Sequence, residues 1–514
     1  MGTTDKADEH ESLPGEPRSL WLDTTLETDF DPLDGDRRVD VAVVGGGIAG
    51  ITTATHLQER GREVAVLEAD RVLEAVTGHT TAKLTSKHGL IYREIVSNYD
   101  AETARKYAAA NEAAIEDVAA RVEERDIDCD FRRRSAYTYV ADREKRQNVR
   151  EEVSAARKAG IDAAFVEDPP LPYDVECAIR FDDQAQFHPR KYLLDLAESI
   201  PGDDGDVYER TRATDVEPGS PCEVETNRGT VVADDVVLAT HFPFLDRGLY
   251  FARQFPKRSY VLATRLAEAP PDGTFYRVGD TYFSVRTQPG PDGEYTFVGG
   301  QNHKTGQGGS TAERYRKLAR QAREHFDVES IDYRWSTQDY ETSDRIPFVG
   351  KLGPTTDGVY VATGFGGWGM TGGTAAGMML ADLITGESNP WADAFDPMRF
   401  DARAGGKELL TENADVAKEF LGDWATKPLT SVVTLSPGDA TVTREGDSVV
   451  GTYRDDDGKE YKVSAVCPHM GCLLEWNDGE KSWDCPCHGS RFTYEGEVLD
   501  GPANADLSRL DLDD

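Results

Sequence analysis

Four residues near the C-terminus have the types and the spacing of a metal centre. Cys467 and His469 form a Cys-x-His pair, and fifteen residues later Cys485 and His488 form a Cys-x-x-His pair. Thiolate sulfur and imidazole nitrogen bind both zinc and iron, so these four side chains could form a zinc knuckle or hold an iron–sulfur cluster. Either centre needs a fold that brings two short loops together.

The two boxes around these residues resemble those of Rieske [2Fe-2S] proteins: Cys467-Pro-His469-Met-Gly-Cys472 and Cys485-Pro-Cys487-His488-Gly-Ser490. In a Rieske centre two cysteines bind one iron and two histidines bind the other. The resemblance therefore implies a [2Fe-2S] cluster with Cys467, Cys485, His469 and His488 as its ligands. The extra cysteine in each box favours this interpretation over the zinc knuckle.

Other residues of these boxes resemble the Rieske proteins of cytochrome bc and bf complexes. In those proteins the positions of Cys472 and Cys487 are linked by a disulfide, and the resemblance implies the same pair here. A serine and a tyrosine after the second box donate hydrogen bonds to the cluster in that class. This chain has the serine, Ser490, but Phe492 stands in place of the tyrosine. Gly501-Pro502-Ala503 resembles their proline-containing loop over the cluster.

A glycine-rich turn near the N-terminus has the residues of a dinucleotide site. Gly45, Gly47 and Gly50 form G-x-G-x-x-G between a predicted strand and a predicted helix. These glycines allow a tight turn and a close approach of the backbone to a pyrophosphate. Glu68 ends the next predicted strand, eighteen positions after Gly50, where a carboxylate can bind ribose hydroxyls. The acid disfavours NADP and leaves NAD and FAD as alternatives.

A second G-x-G-x-x-G, made by Gly364, Gly366 and Gly369, follows another predicted strand. A second dinucleotide site is disfavoured because no strand and acidic residue follow its helix. The sequence here resembles the D-amino acid oxidase-like flavoproteins, which include glycine and sarcosine oxidases. In that family this turn and the following helix face the flavin. The resemblance implies FAD as the cofactor, and contacts to it from Gly364, Gly366, Met370 and Thr371.

The same resemblance covers a loop at 77–85 that runs along the flavin in this family. The hydroxyl groups of Thr80 and Thr81 suit phosphate and ring contacts. In some relatives a histidine here is covalently attached to the flavin, and His79 is the candidate, with an ordinary polar loop histidine as the alternative. His241 stands where the family's other Ala-Thr-Gly strand usually has its last glycine.

Residues on the substrate side are marked less clearly. For a carboxylated substrate the leading candidate is Arg286, in a predicted strand with Tyr282, and a surface salt bridge is its alternative role. Lys304 follows a predicted strand and could handle protons or oxygen near the flavin ring. A solvated loop lysine is the alternative for Lys304.

These motifs predict the domain organisation. The expected parts are an N-terminal extension (1–35), a D-amino acid oxidase-like region (36–397), a polar linker with a helical stretch (398–429) and a Rieske domain (430–514). The fold class expected for the second part is α/β, a Rossmann-like FAD-binding domain with an α+β substrate domain inserted. Short strand patterns separated by turns predict that the last part is a small all-β domain.

The charge limits the partners. With 57 Lys+Arg against 94 Asp+Glu the net charge is −37, which disfavours nucleic acid and anionic membranes. The chain has no apolar run of about 18 residues, and its N-terminus is acidic, so we expect a cytoplasmic protein without a membrane span. An acidic surface along the whole chain is typical of proteins that function in molar salt, and it predicts a halophilic source.

Together these features predict an FAD-dependent oxidoreductase that passes electrons to a Rieske cluster. The family resemblance implies a small substrate, an amine or an amino acid, and an external electron acceptor that the sequence does not identify. Flavin takes two electrons at once and the cluster takes one, so the chain would act as a converter. Two alternatives remain: a reductase supplied by an external electron donor, and a redox sensor or electron carrier without turnover.

Overall fold

A computed structural model describes residues 12–245, 247–279, 282–399, 402–426 and 434–510. The α-helices are Leu20–Asp23 (α1), Ile48–Gln58 (α2), Ile91–Asn98 (α3), Ala101–Glu124 (α4), Arg146–Lys158 (α5), Pro189–Ser199 (α6), Tyr250–Arg253 (α7), Thr311–His325 (α8), Gly369–Thr385 (α9), Ala392–Phe395 (α10) and Ala402–Thr426 (α11). Short 3-10 helices cover Val76–His79 and Arg143–Lys145.

The first sheet carries both glycine turns. Its strands are Arg37–Val44 (β1), Val64–Leu67 (β2), Gly205–Tyr208 (β7), Ala213–Glu217 (β8), Cys222–Thr226 (β9), Thr230–Leu238 (β10), Phe348–Lys351 (β16) and Val359–Thr363 (β17). The order is β16-β17-β10-β1-β2-β7, and the strands from β17 to β7 are parallel. One glycine turn follows β1 and the other follows β17. Because parallel strands end at the same edge, both turns open on one side of the sheet.

Helices α2 and α9 start at these two turns and pack against each other. A Cβ atom at Gly377 would lie 2.7 Å from the Cγ2 atom of Thr52, and one at Gly373 would lie 3.0 Å from that of Ile48. The small residues of α9 therefore allow close contact between the helices. The described element after α9 is the short helix α10, so the second turn does not open a second strand–helix–strand unit, as expected.

The second sheet is interleaved with the first along the chain. Its strands are Lys83–Leu84 (β3), Arg132–Val140 (β4), Ala163–Val166 (β5), Cys177–Gln186 (β6), Gln254–Leu266 (β11), Thr274–Arg277 (β12), Phe283–Gly290 (β13), Gly293–Lys304 (β14) and Val328–Thr342 (β15). Its order is β15-β11-β14-β13-β12-β4-β6-β3, with β5 beside β6. This interleaving confirms the predicted inserted domain.

Residues 434–510 form the small antiparallel module predicted from the sequence. Its strands are Ala440–Glu445 (β18), Ser448–Arg454 (β19), Glu460–Ser464 (β20), Glu475–Asn477 (β21), Ser482–Asp484 (β22), Arg491–Thr493 (β23) and Val498–Asp500 (β24). They form a three-stranded sheet, β18-β19-β20, and a four-stranded sheet, β21-β22-β23-β24. Trp483 and Phe492 are fully buried between them.

The structure adds detail to two predicted segments. The helical stretch of the expected linker, 398–429, is the 25-residue helix α11, and Asn413 on it donates a hydrogen bond to the carbonyl of Ala252 at 2.8 Å. The predicted Rieske boundary at 430 lies outside the described residues. The described part of the N-terminal extension is packed into the fold, because Leu20 and Trp21 are fully buried. In the described ranges no helix has both the length and the apolar character needed to cross a bilayer.

Candidate functional site

The first glycine turn has the close contacts expected of a phosphate-binding loop. Gly45 has a φ of +110°, and a Cβ atom there would lie 2.5 Å from the carbonyl oxygen of Ala239. A Cβ atom at Gly50 would lie 1.9 Å from the carbonyl oxygen of Gly45. Helix α2 begins after Gly47, which has no side chain to cover its N-terminus. The glycines therefore let an anionic group approach the turn closely, and the hydroxyl of Thr77 accepts the N–H of Ile48 at the helix start, at 3.1 Å.

Glu68 extends from the end of β2 over the same turn. Its carboxylate accepts hydrogen bonds from the backbone N–H groups of Gly46 at 2.7 Å and Asp70 at 3.0 Å. Burial raises the pKa of Glu68. The three glycines of the motif and the acid thus meet at one strand end, which is the arrangement that a bound adenosine and pyrophosphate require.

The second glycine turn is held between β15 and the start of α9. Gly364 and Gly366 have φ values of +78° and +61°. The N–H of Gly366 donates to the carbonyl of Tyr340 at 2.9 Å. In the first turn of α9 the hydroxyl of Thr371 donates to the carbonyl of Thr85 at 3.0 Å, which ties this helix to the end of the 77–85 loop.

Two indole groups hold the loop that contains His79. The Nε1 atom of Trp335 donates to the carbonyl of His79 at 2.8 Å, and that of Trp21 donates to the carbonyl of Thr80 at 2.7 Å. The Nδ1 atom of His79 is hydrogen-bonded to the carbonyl of Ala75 at 2.8 Å. The ring of His79 is therefore bound to its own loop, and covalent attachment of flavin to it stays a prediction.

A cavity of about 30 Å³ lies between this loop and the second glycine turn. Its lining residues are Thr80, Thr81, Lys83, Tyr276, Tyr282, Gly367, Trp368 and Met370. The fold thus brings together predicted site residues from three separate parts of the sequence. Tyr276 and Trp368, which the sequence analysis did not select, pack with their ring centroids 5.1 Å apart.

Lys83 is the charged residue of this cavity that the sequence analysis also did not select. It is only 7% exposed, and its Nζ atom donates to the hydroxyls of Thr81 at 3.0 Å and Ser284 at 3.2 Å. Burial lowers its pKa far below the usual value, and Arg286 and Lys87 lower it further. No spacing or motif marks Lys83 in the sequence, because its strand has only two residues, Lys83–Leu84.

Arg286 is buried but does not line this cavity. Its guanidinium donates to the carbonyls of Thr81 at 2.9 Å, Ala82 at 2.6 Å and Thr287 at 3.1 Å, and also to the side-chain oxygen of Gln288. The alternative of a surface salt bridge is wrong, because the residue is 1% exposed. Its position indicates that it holds the backbone of the 81–82 segment.

Lys304 lies at the end of β14 and is likewise absent from the cavity lining. Its Nζ atom contacts the carboxylates of Asp415 at 2.6 Å and Glu412 at 2.7 Å on α11. The alternative of a solvated loop lysine is wrong, because these two ion pairs hold the side chain in a largely buried position. Lys304 therefore joins α11 to the second sheet.

The two Cys/His boxes form facing loops at one end of the C-terminal module. Cys467, Cys485 and His488 are buried, and His469 is half-buried. The imidazole centroids of His469 and His488 are 5.1 Å apart. A hydrogen bond from the Cys485 thiol lowers the pKa of Cys467, so the two sulfur atoms are also neighbours. The fold thus brings the two histidines together and the two cysteines together.

The buried nitrogen atoms of this site fit a metal cluster. The Nδ1 atom of His469 and both ring nitrogens of His488 have no hydrogen-bond partner among the described residues. Burial lowers the pKa of both histidines, which favours the neutral imidazole that metal ligation requires. Unpaired polar atoms at such a depth are costly unless a bound group satisfies them.

The remaining cysteines of the boxes form the disulfide Cys472–Cys487. Their sulfur atoms and that of Cys485 lie within 4.8 Å of one another, so the disulfide is directly beside the site. The hydroxyl oxygen of Ser490 accepts a hydrogen bond from the N–H of Ala503 at 3.0 Å, which places the loop after Pro502 against the second box.

His241 has the backbone conformation that explains the glycine usual at this position. Its φ is +65°, in the left-handed region that glycine adopts without strain. Its ring lies edge-on to that of Tyr340, with centroids 4.7 Å apart. The substitution noted in the sequence therefore falls at a strained turn after β10.

The interleaved sheets, the two glycine turns and the Cys/His loops define an FAD-dependent oxidoreductase that carries a Rieske domain. The family described as FAD dependent oxidoreductase matches residues 40–383, and the Rieske [2Fe-2S] domain matches residues 426–511. The chain belongs to this FAD-dependent oxidoreductase family, and its cofactors are FAD and a [2Fe-2S] cluster. The resemblances and the fold class inferred from the sequence are confirmed.

Three similar proteins illustrate the two parts of the chain. The Bacillus subtilis protein YhfW, described as a Rieske 2Fe-2S iron-sulfur protein, is 39% identical over 97% of this chain and 98% of its own length. The gamma-glutamylputrescine oxidoreductase of Escherichia coli is 26% identical over 74% of this chain and 91% of its own. The crystal structure of glycine oxidase from Geobacillus kaustophilus covers 71% of this chain and 100% of its own, with a TM-score of 0.58 and 19% identity.

Proposed function

We propose that this protein oxidises a small amine that carries a carboxylate, and that it delivers the electrons singly to its Rieske cluster and then to an external acceptor. The observation that carries this proposal is the contact between the cluster loop and the flavoprotein. The ring of His488 lies edge-on to that of Phe251, with centroids 5.9 Å apart. A Cβ atom at Gly306 would lie 2.7 Å from the nitrogen of Pro486.

The geometry of the two glycine turns and of the Cys/His loops supports an assignment of the cofactor-binding residues. We assign the dinucleotide to Gly45, Gly47, Gly50 and Glu68, the flavin ring to Thr80, Thr81, Gly364, Gly366, Met370 and Thr371, and the irons to Cys467, His469, Cys485 and His488. When bound, FAD accepts a hydride from an amine carbon, and a [2Fe-2S] cluster accepts one electron at a time. The chain itself supplies the binding sites, the electrostatic surroundings and the exclusion of water.

The substrate class is inferred from three buried cations beside the cavity. Lys83, Lys87 and Arg286 are each less than 10% exposed, and their hydrogen bonds go to hydroxyl groups, carbonyls and one amide. Among the described residues none of them has a carboxylate at ion-pair distance. Without such a partner, burial lowers the pKa of Lys83 far below its usual value and that of Lys87 to about 7. A bound carboxylate would raise these pKa values again and stabilise the charged form of the lysine that it contacts.

We place the substrate carboxylate at Lys83, because this is the one cation of the three that lines the cavity. Lys87 lies behind the lining, where its Nζ atom donates to the hydroxyl of Thr138 and burial lowers its pKa to about 7. The rings of Tyr282 and Tyr276, whose centroids are 5.0 Å apart, form an apolar wall of the cavity beside Lys83. The similarity to gamma-glutamylputrescine oxidoreductase, which is named for an amine substrate, supports the amine part of the proposal.

Binding of simple ligands tests the carboxylate site without turnover. Acetate should perturb the flavin absorbance of the holoprotein, and acetamide should perturb it far less. Lys83→Met should weaken acetate binding about tenfold or more, because a charge-assisted hydrogen bond is lost. Lys158→Met, at an exposed lysine of α5, is the matched control and should leave the affinity unchanged. Equal binding of acetate and acetamide by the unsubstituted protein would refute the carboxylate site.

An anaerobic screen of amines, amino acids and hydroxy acids tests the direction of electron flow. A substrate should bleach the flavin band, and a Rieske-type EPR signal should then appear. If a ferredoxin-like donor alone reduces the flavin, the protein works as a reductase. If neither reagent does so, the protein is a sensor or a carrier, and the proposed oxidation is refuted.

A further inference from the structure

Strand β15 belongs to the flavoprotein and also contacts the C-terminal module. Side chains alternate between the two faces of a strand. Ser336, Gln338 and Tyr340, on one face, all hydrogen-bond the C-terminal module. Trp335, on the other face, donates to the loop that contains His79. One strand therefore contacts both candidate cofactor sites.

A buried carboxylate of the C-terminal module, that of Glu480, is inserted into the flavoprotein beside β15. Glu480 accepts hydrogen bonds from Arg258, Ser336 and the hydroxyl of Tyr315, the last at 3.1 Å. Arg491 of its own module also donates to it, at 2.6 Å. Arg258 is almost fully buried, and Glu480 is its one carboxylate partner in the described part of the chain.

The same turn of the module also covers the start of helix α8. The carboxylate of Asp478 accepts from the backbone N–H groups of Thr311 at 2.8 Å and Ala312 at 3.0 Å. A negative charge at this end of a helix is favourable, because the N–H groups there lack partners within the helix. We call Asp478 and Glu480 together the carboxylate plug.

The cluster loop itself is held about ten residues further along the module. The Nε2 atom of Gln338 donates to the carbonyl of Gly489 at 2.7 Å. The hydroxyl of Tyr340 reaches the carbonyls of His488 at 3.1 Å and Gly501 at 2.9 Å. Tyr340 is 1% exposed, and its own carbonyl accepts the N–H of Gly366. This residue thus touches the second glycine turn at one end and the cluster loop at the other.

We propose that the Rieske module is locked in one position on the flavoprotein by the carboxylate plug, and that Tyr340 is the positioning residue that couples the cluster loop to the flavin turn. His488 then faces the flavoprotein, whereas His469 lies on the more exposed side. The proposal rests on the proposed function only for the identity of the groups bound at the two ends of Tyr340. The lock itself depends on no substrate and on no direction of electron flow.

Hydrogen exchange of the holoprotein tests the lock. In Glu480→Gln the amides of the 485–490 loop and of 336–340 should exchange about tenfold faster or more, while β18 to β20 keep their rates. Asp457→Asn removes an exposed carboxylate of the same module and should change neither region. Unchanged exchange in Glu480→Gln would overturn the lock.

The EPR spectrum of the reduced cluster tests the coupling. Tyr340→Phe removes one hydroxyl and keeps the ring, so the fold and the FAD content should be retained, but the g values should shift because His488 loses a backbone contact. Tyr461→Phe is the matched control, since that hydroxyl contacts Asp455 inside the module. An unchanged spectrum in Tyr340→Phe would overturn its positioning role. Neither experiment requires a substrate, so a failed substrate screen leaves both results interpretable.

Discussion

Replacing Glu480 with glutamine removes one negative charge from a buried site and keeps the shape of the side chain. In the native protein burial alone would raise the pKa of Glu480, but Arg258 and Arg491 outweigh it and lower the pKa from 4.5 to about 2. Each pKa unit corresponds to 1.36 kcal/mol, so this carboxylate contributes about 3 kcal/mol to the stability of the folded state at neutral pH. Removing one partner of a buried ion pair typically costs a similar amount.

The stability that Glu480 contributes should depend on pH. Because the pKa is lower in the folded state, the contribution is complete above about pH 4.5 and is lost as the pH falls toward 2. The stability difference between the native protein and Glu480→Gln should therefore shrink from about 3 kcal/mol at pH 7 to about 1.5 kcal/mol at pH 3. Since the group is buried, molar KCl should reduce the difference little.

Urea unfolding monitored by the visible circular dichroism of the cluster measures this difference. The assay compares native protein, Glu480→Gln and Asp457→Asn at pH 7 and pH 3. We expect a clearly lower midpoint for Glu480→Gln at pH 7 and a smaller gap at pH 3. Equal midpoints for the three proteins at pH 7, or a gap that widens in acid, would refute the argument that Arg258 and Arg491 stabilise this carboxylate.

Three further predictions concern other parts of the chain. His241→Gly should raise the melting temperature by relieving about 1 kcal/mol of left-handed backbone strain; a lower value would mean that the ring contact with Tyr340 outweighs the strain. The cluster potential should lie in the lower or middle part of the Rieske range of about −150 to +300 mV, Ser490→Ala should lower it, and Phe492→Tyr should raise it because a donor to the cluster stabilises the reduced form. Voltammetry measures these potentials. If Phe492→Tyr does not raise the potential, the added hydroxyl does not reach Cys467. Molar KCl should raise the melting temperature, since screening relieves the repulsion within a chain of net charge −37. A melting temperature that does not change with salt would refute this prediction.

The substrate-side residues show where burial decides a role. Arg286 stays a prediction as the group that binds a substrate carboxylate, and three backbone carbonyls already accept hydrogen bonds from it. Lys304 is paired with Asp415 and Glu412 of α11, which lie more than a hundred positions later in the chain. Lys83 had no distinguishing spacing, and its importance follows from the cavity that surrounds it. No local pattern reports such partners, because they depend on how the two sheets and α11 pack.

By itself, the sequence determined the cofactor classes and the order of the domains. Gly45, Gly47 and Gly50, and the Cys/His pairs of the last fifty residues, are recognisable because the chemistry of a tight turn or of a two-loop cluster requires fixed residue types at short spacing. The tertiary structure decided what surrounds those motifs. It alone places Lys83 at the cavity, Glu480 in a cationic site and Tyr340 between the two candidate sites, because each of these contacts joins parts of the chain that are distant in sequence and meet only when apolar surfaces are buried.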